Sequence, residues 1–121
     1  MSAPVGPYSP WRRAGDLVVI SGQLGLIASD AGPRMIDGAA ADQLRQALIN
    51  ARAVLAEAGA TFDQVFKATL FLVDMADFAA CNDVWVHAFD VPRPTRSAIA
   101  VAQLPLGALA EVELWAHSPL S

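Results

Sequence analysis

Three charged residues stand out for where they sit. The segment Pro92-Arg93-Pro94-Thr95-Arg96-Ser97 runs into a stretch of Ala, Ile and Val. Proline on the approach fixes the backbone, so Arg96 enters a strand from a stiffened loop. A guanidinium at the head of such an apolar strand is costly to bury without an anion beside it. That anion is either a structural carboxylate or a bound ligand. Glu111 and Glu113 alternate with Val112 and Leu114 and so share one face of a strand. They are the only glutamates outside the first predicted helix. They form either a solvated strand face or, if the chain turns back at Pro105–Gly107 as a hairpin, a carboxylate near Arg96. Other signatures are missing. No glycine-rich phosphate loop follows a strand, and no Cys/His spacing suits zinc. His87 and His117 read as helix-surface and strand-end residues. Cys81, beside Ala79 and Ala80, reads as a small buried hydrophobe rather than a nucleophile.

The elements that position these residues follow from periodicity. Residues 1–10 hold Pro4, Pro7 and Pro10 and should be extended and irregular. After the Gly15-Asp16 turn, 17–23 predicts a strand, apolar on both faces near its start and so buried on both sides. Residues 28–38 carry a loop signature. Leu44, Leu48, Ala51, Leu55 and Ala58 form one apolar stripe, predicting a helix over 40–58. Arg45, Asn50, Arg52 and Glu57 fall largely outside the stripe, and Gly59 supplies the stop. Residues 65–73 predict a strand with Phe66, Ala68, Leu70 and Leu72 on one face and Lys67, Thr69, Phe71 and Val73 on the other. Asp74 or Asp77 caps a second helix to about Phe89. Strands follow over 96–103, with neither face polar and both expected to be covered, and over 110–117. The order is strand, helix, strand, helix, strand, strand, with room for an N-terminal hairpin. Two helices cover one face of such a sheet, so the other requires a partner copy.

The whole composition agrees. The 121 residues, 55% of them apolar, fit one domain over 1–121 with more apolar surface than a small core absorbs. A net charge of −4 argues against nucleic acid and anionic membranes as partners. The basic residues are arginines except Lys67, and the single cysteine, Cys81, excludes an intrachain disulfide. The prolines near the start do not fit a signal peptide, and no apolar run reaches the ~18 residues of a membrane helix. The expected compartment is the cytoplasm.

The motifs, in order, resemble the RidA (YjgF) family of reactive-intermediate enamine/imine deaminases. The resemblance runs from about Gly6 to His117. It rests on Gly6-Pro7-Tyr8-Ser9, on Ser21-Gly22-Gln23, and on Phe71 to Phe78 with Asn82. Arg93-Pro94-Thr95-Arg96-Ser97 is the most specific match, followed by Leu104-Pro105 and Glu111-Val112-Glu113. It implies a chorismate-mutase-like (bacillus-type) α+β fold, a mixed sheet with two helices on one face. It also implies a homotrimer with active sites between subunits. The implied reaction is hydrolysis of 2-imino acids, such as 2-iminopropanoate and 2-iminobutanoate, to 2-oxo acids and ammonia, with no metal or organic cofactor. Arg96 is then the carboxylate clamp and Glu111 the residue that positions and polarises the attacking water. Tyr8 and Ser21 line the same pocket, and Gly22 allows close backbone approach or simply makes a turn. Glu113 carries no implied role beyond structure.

The chain also departs from the family pattern. Pro10 and Trp11 stand where Gln and a small residue are common, Gly25 where proline is usual, and Ala98 where some relatives have cysteine. The stretch from Asn82 to Arg96 is shorter, which predicts Trp85 and Arg93 near the cleft rim. Two other readings accompany the deaminase: a non-catalytic module that binds carboxylate metabolites, and a pathway-specific deaminase acting on aminomuconate or aminoacrylate derivatives. A nuclease role conflicts with the acidic balance.

Overall fold

The computed structural model describes residues 5–120. Strands β1 (Trp11–Ala14) and β2 (Leu17–Ile20) form an antiparallel hairpin. The expected strand over 17–23 thus stops early, although Gln23 still bridges Val112 through paired backbone hydrogen bonds. It is also buried on one side only: Val18 and Ile20 are buried while Leu17 and Val19 are half-buried. Just before the loop predicted over 28–38 and inside it, β3 (Leu26–Ile27) and β4 (Arg34–Met35) pair as a small separate sheet. Of the expected irregular segment 1–10, residues 1–4 lie outside the described ones. Residues 5–10 form bends with no strand.

Helix α1 (Ala40–Glu57) follows the predicted bounds closely. Its stripe from Leu44 to Ala58 is buried against the sheet. Gly59, at φ 83°, adopts the left-handed conformation that ends the helix. Asn50 departs from the expectation. It is buried, and its Nδ2 donates to the carbonyls of Leu24 (3.0 Å) and Leu26 (2.8 Å), anchoring the β3 arm on α1. Strand β5 (Val65–Leu72) carries a bulge between Val65 and Lys67. An extra residue in one strand breaks the alternation, so Val65 rather than Phe66 turns into the core, and Phe66 is exposed. Asp74 Oδ1 accepts from the Ala76 amide (2.9 Å), starting the turn that leads into α2 (Phe78–Ala88).

Strands β6 (Thr95–Ala100) and β7 (Ala110–His117) complete a five-stranded sheet in the order β1-β2-β7-β5-β6. Only β5 and β6 run parallel. Both helices cover one face, where Val18, Ile20, Ala68, Leu70, Leu72, Val112 and Leu114 are buried. The opposite face bears Phe71, Thr69, Ile99, Glu111, Glu113 and Trp115, with the Lys67 ammonium over the Trp115 ring at 4.6 Å. β6 was expected to be covered on both faces. Within one chain it is an edge strand with most residues exposed, because β5 is its only neighbour. Among the described residues, no helix is long and apolar enough to cross a membrane.

Candidate active site

Register decides where Arg96 points. It pairs with Ala68 of β5, a core residue, so its side chain lies on the helix-covered face at the sheet edge. There α2 receives it. Phe78, Asn82 and Trp85 recur at i, i+4 and i+7, which aligns them on one side of the helix. Arg96 Nη2 donates to Asn82 Oδ1 at 2.8 Å. The guanidinium carbon sits 5.0 Å from the Trp85 ring and 5.4 Å from the Phe78 ring. Among the described residues the ion pairs are Arg34–Asp37 and Arg45–Asp42, so no carboxylate within 4.0 Å neutralises Arg96. Desolvation lowers its pKa, and its neighbour Cys81 is pushed up to about 11, chiefly by burial, so the thiol stays neutral.

A second cluster gathers around Glu111. Glu111 pairs with Phe71 and lies on the open face of β7, two residues from Glu113. Its pKa is raised, first by burial and then by the Glu113 carboxylate. Gly22 lies directly beneath its side chain: a Cβ there would come 2.8 Å from the Glu111 carboxyl carbon. The missing side chain at Gly22 is what admits the Glu111 carboxyl this close to the backbone. Ser21 Oγ donates to the carbonyl of Ser9 (2.7 Å), and the Ser21 amide donates to the carbonyl of Pro10 (2.9 Å). These bonds tie the segment carrying Tyr8 beside the Glu111 end of the sheet. Tyr8 is about half exposed and rests on Gly6.

One chain does not bring the two clusters together. Arg96 is on the helix face and Glu111 on the open face. The turn at Pro105–Gly107 makes no hairpin between their strands, because β5 separates β6 from β7. Expectation and structure also differ at Trp85, which is 4% exposed and packs behind Arg96 rather than at a rim. Arg93 is exposed, and its Nε donates to the carbonyl of Phe89 (3.2 Å). Phe78 and Trp85 were not read from the sequence as partners of Arg96, and Asn82 entered only as a motif match. Their i, i+4, i+7 spacing was the available signal. Among the described residues, no group of three or more His, Cys, Asp or Glu is placed to hold a metal ion.

The chain thus carries an arginine with no carboxylate partner at a sheet edge, and a half-buried glutamate on the mixed open face of the same sheet. Comparison with known proteins gives the class. The family model described as Endoribonuclease L-PSP matches residues 1–118. The 2-iminobutanoate/2-iminopropanoate deaminase of Capra hircus is 40% identical over 111 residues, 92% of this chain and 80% of that protein. The crystal structure of RidA from the Antarctic bacterium Psychrobacter sp. superposes with a TM-score of 0.88 at 36% identity, covering 95% of this chain and 91% of that one. The E. coli TdcF structure, solved with bound serine, has a TM-score of 0.83 at 32% identity, covering 94% of this chain and 90% of that one. The chain belongs to the RidA family.

Proposed function

We propose that this protein is a deaminase that hydrolyses 2-imino acids of the 2-iminopropanoate and 2-iminobutanoate type, at sites formed between copies of a homotrimer. The observation that carries this reading is the Arg96 guanidinium. It is fixed by Asn82, flanked by two aromatic rings and without an internal carboxylate among the described residues. Such a group is preorganised for an anion. The Capra hircus relative is named for this deaminase activity, and TdcF was solved with an amino acid bound. Because Arg96 and Glu111 lie on opposite faces, Arg96 of one copy meets Glu111, Tyr8 and Ser21 of the next.

The chemistry requires little more than orientation. Arg96 holds the substrate carboxylate and so fixes the C=N carbon. Glu111 accepts a proton from a water that attacks that carbon, and Tyr8 and Ser21 offer hydroxyl oxygens to water or substrate. Glu111 passes that proton to the nitrogen as the carbinolamine forms, and transfer of the hydroxyl proton to the same nitrogen lets ammonia leave as the C–N bond breaks, giving the 2-oxo acid and restoring the carboxylate. One water is consumed and no electrons are transferred, so the reaction needs no redox partner. The net charge of −4 supports this chemistry over cleavage of a polyanionic RNA. The single cysteine, Cys81, suits a reducing cytoplasm.

Ammonia release from enzymatically generated 2-iminobutanoate tests the reading. Arg96→Ala loses about a hundredfold or more in kcat/KM, the cost of leaving the substrate carboxylate unpaired. Glu111→Ala is similarly impaired. Exchanging subunits between the two inactive variants restores about a quarter of wild-type activity, because a head-to-tail interface pairs an intact Arg96 with an intact Glu111 in that fraction of sites. No recovery in well-mixed trimers would place both residues in one copy's site. No ammonia from folded protein that still binds 2-oxobutanoate would replace the enzyme with a carboxylate-binding module.

A further inference from the structure

The Trp85 indole is the end of a stack of rings. Its centroid is 4.8 Å from that of Phe89 at 41°, and Phe89 lies 4.7 Å from Phe62 at 11°. The Arg52 guanidinium caps the far end, 4.3 Å over Phe62. The rings come from α2, from its C-terminal end and from the turn after α1. Trp85, Phe89 and Phe62 are all buried in the main core. Arg96 therefore rests on a surface anchored in several elements at once.

A free arginine side chain carries substantial rotamer entropy, which a ligand must overcome on binding. A buried aromatic face attracts the cation yet takes none of its N–H donors, so those not given to Asn82 stay available for a carboxylate. A carboxylate in place of the indole would neutralise the same charge and compete with the substrate. Phe78, half-buried where Trp85 is buried, gives the guanidinium a second ring at 5.4 Å.

We infer that Trp85 is a positioning residue for carboxylate recognition: together with Phe78 it holds the Arg96 guanidinium in its binding orientation without neutralising it. The inference rests on Arg96 as the substrate clamp. It adds a residue that touches no reacting atom and whose effect falls on binding rather than on the chemical step.

The test is calorimetric binding of 2-oxobutanoate together with steady-state deamination of 2-iminobutanoate. Trp85→Leu weakens Kd and raises KM about tenfold, because the freed guanidinium must then lose rotamer entropy on binding, while kcat stays within about twofold, since the proton transfer at Glu111 is untouched. Trp85→Phe recovers most of the affinity, as an aromatic face predicts and a loss of folding does not. Phe78→Leu, a less buried change, weakens binding in the same direction and serves if Trp85→Leu fails to fold. If wild type binds 2-oxobutanoate and both leucine variants bind it equally well, the positioning role is overturned while the clamp stands. An equal fall in kcat without a change in KM also overturns it. If wild type binds no 2-oxobutanoate, the clamp reading falls and this inference with it.

Discussion

At the scale of the residue, the site depends on charges left deliberately unbalanced. Arg96 has a polar partner and two rings but no anion among the described residues. Glu111 is half-buried beside another carboxylate and has a raised pKa. In the proposed reaction Glu111 is the base; a base must be ionised to accept a proton, and a raised pKa keeps Glu111 protonated to higher pH than an ordinary glutamate. The kcat/KM profile should therefore rise with pH along an acid limb displaced above the usual glutamate range. Glu113→Gln removes the second of the two causes and moves that limb to lower pH, with kcat on the plateau little changed. A limb that stays in place would show that Glu113 does not act on Glu111. Glu113, which reads as structural in the sequence, shares the face of Glu111 two residues away and is the second cause of its raised pKa.

At the scale of the element, local signals decided most boundaries. α1 and β7 fall where apolar spacing and flanking turns placed them, because a single buried stripe or alternation dominates each. Misreadings arise where a non-local contact overrides the pattern. The β5 bulge turns Phe66 outward, a shift that depends on pairing with β7 and leaves no mark on the strand's own alternation. Asn50 is polar and read as surface, yet its amide satisfies two carbonyls of the β3 arm. Asn50→Leu should destabilise the fold by about 2 kcal/mol, since both acceptors would stay buried and unpaired. Urea denaturation measures this directly, and a loss below about 0.5 kcal/mol would mean that water replaces the amide.

At the scale of the whole molecule, one face of the sheet is finished by α1 and α2 and the other is not. Phe71, Trp115 and Ile99, the last 44% exposed, lie on that second face near β6, a bare edge. In the proposed trimer these surfaces are covered by neighbouring copies. Ile99→Asp should then yield monomers by size-exclusion chromatography with light scattering, with helical content retained and deaminase activity lost. Stable trimers of Ile99→Asp would move the interface elsewhere.

The sequence by itself determined the two helices, the order of the main strands, the α+β class and the surplus of apolar surface, because each rests on spacing along the chain, while the short β3–β4 pair escaped it. Residue type and setting also singled out Arg96 and the pair Glu111 and Glu113, and the family resemblance chose Glu111 between the two. Only the tertiary structure decided that Arg96 and Glu111 lie on opposite faces, since that follows from β5 standing between β6 and β7 and from the register of Arg96 with Ala68. Likewise only the packing of α2 on the sheet edge could reveal that Asn82, Phe78 and Trp85 surround the guanidinium. Strand order and cross-strand register are set by contacts between distant segments, which local periodicity does not encode.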